Sequence, residues 1–184
     1  LIELGAVVGL IADHGMNDKA SEDGEPQVIW LQDILDDVMG EGRYKVICPI
    51  TDAFVGHHGS LGGFVRVYCL EGASIEAAIE VIKDIPGVEK VWTAERACNE
   101  LHQPLDREGD IAISADLKTV IGSRKADHDL SALKGHRLRT HGSLHEAKVP
   151  LVISSPLKDE YNSKISQASL GSEDIFDFVI NGTA

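Results

Sequence analysis

The chain has 184 residues, 43% hydrophobic and 26% charged, with a formal net charge of −13. A chain of this length buries a core without disulfide or metal staples. Its acidic balance excludes the basic face that nucleic acid or an anionic membrane surface requires. No apolar run approaches the ~18 residues of a membrane span. Cys48, Cys69 and Cys98 form no CxxC pair and are odd in number. They read as small apolar residues in a reducing, cytoplasmic compartment, not as a disulfide framework.

Residues 6–12 are a continuous apolar run, the pattern of a strand covered on both faces. The chain begins without Met or a charged leader, already close to this run. The expectation is that the natural protein extends upstream and that these residues are its C-terminal part. The run stops at Asp13-His14-Gly15-Met16-Asn17. A polar cluster just past a buried strand is where open α/β sheets place ligands. A polar loop over 19–26 precedes an amphipathic pattern over 27–39, with Val28, Ile29, Leu31, Leu35 and Val38 apolar, which predicts a helix closed by Gly40.

Strands are predicted over 44–48, 64–70 and 88–92. A glycine-rich loop at 56–63 carries His57 and His58. A helix starts at Ser74, a plausible N-cap, and is broken by Pro86-Gly87; another starts at Thr93 and runs to Leu101. These elements read as a small α+β lobe at 43–103, inserted in a sheet core formed by 1–42 and 104–184. Further strands are expected at 110–114, 119–121 and 149–153, and a closing helix at 172–180. Trp30 and Trp92 read as core residues of the first helix and the lobe.

Eight histidines are the informative excess. Imidazole beside carboxylate is a usual zinc environment, yet no HExxH or CxxC pattern is present. Asp13 and His14 are two adjacent metal-competent side chains at a strand end; the same spacing also fits an ordinary polar turn. His141 sits in a Thr-His-Gly turn before another buried strand. His145 and Glu146 fit a supporting role, by hydrogen bonding to groups that touch a metal. His57 and His58 fit an anion or metal contact, or a solvent loop at an interface.

Ala12-Asp13-His14-Gly15-Met16 resembles the ADHGM motif of the alkaline phosphatase superfamily, and Arg139-Thr140-His141-Gly142-Ser143 resembles the later His-Gly turn of its phosphodiesterase branch. Pro49-Ile50-Thr51-Asp52, His57-His58-Gly59, Arg107-Glu108-Gly109-Asp110 and His128-Asp129-Leu130-Ser131 resemble, in order, stretches of the phosphonoacetate hydrolase family within that branch.

This resemblance implies an α/β fold with part of an alkaline-phosphatase-like sheet core and the inserted α+β lobe. It implies zinc, two ions per complete site, and C–P bond hydrolysis of phosphonoacetate to acetate and phosphate. Asp13 and His14 fall on one zinc and His141 on the other. The nucleophilic threonine and the remaining ligands are expected upstream of Leu1, so the chain carries part of a site. The partners implied are a small phosphonate and, through the family, a second copy in a homodimer; nucleic acid and membrane are not expected. Two other readings stay open: a nucleotide pyrophosphatase or phosphodiesterase of the same superfamily, and a non-catalytic interaction module.

Overall fold

The structure, a computed structural model, describes residues 1–49, 61–133, 135–167 and 170–184. Its strands are β1 (Gly9–Ile11), β2 (Asn17–Asp18), β3 (Val28–Trp30), β4 (Tyr44–Ile47), β5 (Phe64–Cys69), β6 (Val88–Thr93), β7 (Ile111–Ala115), β8 (Val120–Gly122), β9 (Arg139–Thr140) and β10 (Leu151–Ile153). Its α-helices are α1 (Leu31–Met39), α2 (Ile75–Ile82), α3 (Ala94–Leu101), α4 (Asp159–Gln167) and α5 (Asp174–Ile180). The chain divides into two units, one of Leu1–Gly15 with Ala147–Ala184 and one of Met16–Glu146. No helix among the described residues is long and apolar enough to cross a membrane.

In the first unit β1 pairs antiparallel with β10, Leu10 opposite Val152. Side chains alternate across a strand, and the face bearing Gly9 lies on α5. A Cβ on Gly9 would sit 2.6 Å from Val179 Cγ2, so only glycine allows that approach. Tyr161 of α4 meets Phe178 of α5 edge to face, with ring centroids 5.1 Å apart. The run at 6–12 thus forms a shorter strand than its pattern predicts, and one that is not covered on both faces. Leu10 and Val152 are both more than half exposed, because among the described residues β1 has one strand partner and one helix against it.

The second unit holds a four-stranded antiparallel sheet in the order β4-β5-β7-β6. Period-two alternation gives it two apolar faces. Val65, Val67, Ile111 and Ile113 face a core closed by Leu31 and Leu35 of α1 and Ala78 and Ile82 of α2. Ala112 and Trp92 pack with Ala97 of α3 on a second cluster. β7 lies between two strands, and all five of its residues are buried. The Ser74 hydroxyl accepts from the Ala77 N–H and caps α2 as its sequence predicts. Thr93 precedes α3, and its side chain makes no capping bond.

The helix expected at 27–39 is divided. Val28–Trp30 is strand β3, parallel to β8, and only Leu31–Met39 is helical. β-Branched and aromatic residues favour a pleated surface, and the pairing with β8 decides their conformation. Trp30 is accordingly a strand residue, its ring 5.3 Å from that of His128. A short pair, β2 with β9, sets Asn17 opposite Thr140. The cysteines are free and partly buried. Burial pushes the Cys48 and Cys69 thiols up to about 11, away from the thiolate form that reacts.

Candidate functional site

β1 ends at Ile11, and the chain turns through Asp13 and His14. The His14 N–H donates to Asp13 Oδ1 at 3.0 Å, which folds the carboxylate back over its own backbone as Asp does in turns. His14 Nδ1 lies 2.8 Å from the Gly15 carbonyl oxygen. A carbonyl only accepts, so Nδ1 carries a ring proton. Nε2 stands 3.6 Å from Asp13 Oδ2.

Two ligands of a tetrahedral zinc, each at about 2.0–2.2 Å, stand about 3.3–3.5 Å apart. A carboxylate oxygen and an imidazole nitrogen at this separation fit two positions on one zinc. The Asp13 side chain is 88% exposed and that of His14 36%, so the pair is accessible. Among the described residues no group of three or more His, Cys, Asp or Glu side chains could hold a metal ion.

His141 belongs to the other unit and follows β9 directly. Its turn is held from several sides. The Thr140 hydroxyl donates to the Leu61 carbonyl at 3.0 Å, and the Gly63 N–H donates to the His141 carbonyl at 2.8 Å. Gly142 has φ +108°, a backbone conformation that favours glycine. Ser143 donates to Glu146 Oε2 twice, from its N–H at 2.8 Å and its hydroxyl at 2.7 Å.

Glu146 is 2% exposed. Its other oxygen accepts from Asn17 Nδ2 at 2.6 Å and lies 3.0 Å from Lys19 Nζ. Lys19 is itself fully buried. Burial pushes the Glu146 carboxyl up, but the hydrogen bonds from Asn17, Ser143 and Lys19, with the Lys19 charge, outweigh it and hold the group below the ordinary value.

His145 Nε2 lies 2.8 Å from Oε2 of Glu89 in β6. His57 and His58 lie outside the described residues. Sequence reasoning missed Lys19 and Asn17, which it placed in a polar turn and loop, and Ser143. The signal that finds Lys19 is spatial, because its carboxylate partner lies far along the chain.

No family model matches the chain. The chain is similar to phosphonoacetate hydrolase from Sinorhizobium meliloti 1021, solved in complex with phosphonoformate. The identity is 35% and the TM-score 0.85, covering 100% of this chain and 43% of that one. The same enzyme in complex with phosphonoacetate matches with a TM-score of 0.84 over the same shares. Murine ectonucleotide pyrophosphatase/phosphodiesterase 5 is similar in fold, at 21% identity and a TM-score of 0.53, over 82% of this chain and 34% of that one. The chain thus spans less than half the length of each of these relatives.

Proposed function

Because the chain has the fold of the alkaline phosphatase superfamily and resembles phosphonoacetate hydrolase over its whole length, we propose that it is part of a metal-dependent hydrolase that cleaves phosphonoacetate to acetate and phosphate. The observation that carries the reading is the match over 100% of the chain at 35% identity. The 3.6 Å approach of His14 Nε2 to Asp13 Oδ2 supports it.

In this reading Asp13 and His14 hold one zinc and His141 holds a second. The threonine nucleophile and the other ligands come from residues outside this sequence. Two zinc ions supply Lewis acidity, which offsets the charge on the phosphonate oxygens and that developing on the nucleophile. Two zinc ions would dominate the local field, so a net charge of −13 does not oppose an anionic substrate. The His14 proton on Nδ1 is held by Gly15, and that fixes the ring's tautomer and orientation. The carboxylate of phosphonoacetate makes C–P cleavage feasible, since it stabilises the carbanion that leaves. Residues 43–103 shape access to the site.

The test is phosphate release from phosphonoacetate by the zinc-loaded enzyme, with zinc counted in parallel. His14→Ala and His141→Ala are each expected to lose one zinc and at least about 100-fold in turnover, as removal of groups that contact the metal implies. Zinc-independent release, or full zinc content and turnover in both variants, overturns the reading.

A further inference from the structure

Four anchors converge on the turn that carries His141, and one of them is a buried ion pair. Lys19 and Glu146 side chains are 0% and 1% exposed and 3.0 Å apart. A buried pair is seldom the most stabilising solution, since apolar side chains of the same volume do as well or better. What a carboxylate does that an apolar side chain cannot is accept several donors along fixed directions. Glu146 accepts from the Ser143 N–H, the Ser143 hydroxyl and Asn17 Nδ2. Lys19 keeps it ionised in that role and also reaches Ser143 Oγ and the Asp116 carbonyl, both at 3.5 Å.

The donors come from two chain segments. Ser143 lies two residues after His141. Asn17 lies three residues after His14 and sits opposite Thr140, the residue before His141, in the β2–β9 pair. A single carboxylate therefore fixes both the turn bearing His141 and the strand that follows the Asp13-His14 motif. Gly63 completes the clamp: its N–H binds the His141 carbonyl, and a Cβ there would lie 2.6 Å from Ser143 N.

We propose that Glu146, charged and steered by Lys19 and Asn17, is a positioning residue that sets the His141 turn for metal binding. The proposal rests on His141 being a zinc ligand. Partners of this kind around a metal typically cost about 10–100-fold in metal affinity when removed.

The experiment measures zinc affinity by chelator competition on the zinc-loaded enzyme, with tryptophan-monitored melting alongside. Ser143→Ala removes one Glu146 bond and keeps the backbone one; Asn17→Ala removes another. Each is expected to weaken one zinc about tenfold, to leave the other unchanged, and to lower the melting temperature by about 2–4 °C. His141→Ala is the control and is expected to lose that same zinc outright. If His141→Ala keeps both ions, His141 is not a ligand and the reading beneath the proposal fails. If His141→Ala loses one ion while Ser143→Ala and Asn17→Ala lower only the melting temperature, the network is merely structural and the proposal alone fails.

Discussion

Replacing Lys19 with Met keeps most of the volume and removes the positive charge 3.0 Å from Glu146 Oε1. Glu146 retains its bonds from Asn17 and Ser143, so the variant holds a hydrogen-bonded but uncompensated buried carboxylate. Breaking a buried pair in this way costs about 3–5 kcal/mol. Neutralisation sets a ceiling on that cost. A carboxyl whose ordinary value is 4.5 is protonated at pH 7 for about 3.5 kcal/mol, from about 1.4 kcal/mol for each pH unit.

The expected loss at pH 7 is therefore about 3.5 kcal/mol. In the variant the folded carboxyl titrates above its unfolded value, so the folded state binds the extra proton. The loss then shrinks as pH falls, by about 1.4 kcal/mol per unit, and approaches about 0.7 kcal/mol near pH 5. In the wild type the carboxyl titrates below its ordinary value, so its contribution is constant over this window. Urea denaturation followed by tryptophan fluorescence reads the effect directly, because both tryptophans, Trp30 and Trp92, lie in the Met16–Glu146 unit. A loss below about 1 kcal/mol at pH 7, or one that stays flat from pH 7 to 5, refutes the reasoning.

Gly63→Ala forces a Cβ to within 2.6 Å of Ser143 N and 2.7 Å of Ser143 Cβ; it is expected to destabilise the unit by about 1–3 kcal/mol, as overpacking does. Faster amide exchange at Ser143 is the accompanying check, and wild-type exchange there contradicts the clamp. Arg137→Met tests the acid side. The hydrogen bond from Arg137, with burial opposing and the Arg137 charge adding, lowers the Asp18 carboxyl below its ordinary 3.8. A depressed value gives stability that is present above the ordinary value and lost as pH falls through the depressed one. Wild type is thus expected to exceed the variant at neutral pH and to converge on it in acid, as pH falls below the ordinary 3.8 and through the depressed value; a gap that persists in strong acid denies the pair its role.

Local chemistry made part of this molecule legible. Ser74 announces its helix because the cap is made three residues away, and the alternation over β5 follows from neighbouring residues alone. The resemblance to phosphonoacetate hydrolase was carried by short motifs and is matched along the whole chain. What stayed hidden depends on distant partners. Val28–Trp30 reads as helix until β8 pairs with it. Helix α4, Asp159–Gln167, has a polar sequence without an apolar stripe, and its place is set by Tyr161 against Phe178. Lys19 looks like any loop lysine, since nothing nearby in sequence says that a carboxylate will enclose it. The Asp13-His14 pair stands out as a candidate in the sequence because its two side chains are adjacent.

The strand order β4-β5-β7-β6 sets a sequence of events in folding. β6 is made before β7, yet among the described residues β7 is its only strand partner. β6, Val88–Thr93, therefore waits for Ile111–Ala115 before its backbone is paired. The β4–β5 hairpin can form earlier, by itself. Insertion of the most buried strand between these two parts is the step that joins them, and it closes the longest loops of the sheet last. Synthesis that pauses before residue 111 would leave an apolar strand edge uncovered, the condition under which nascent chains associate.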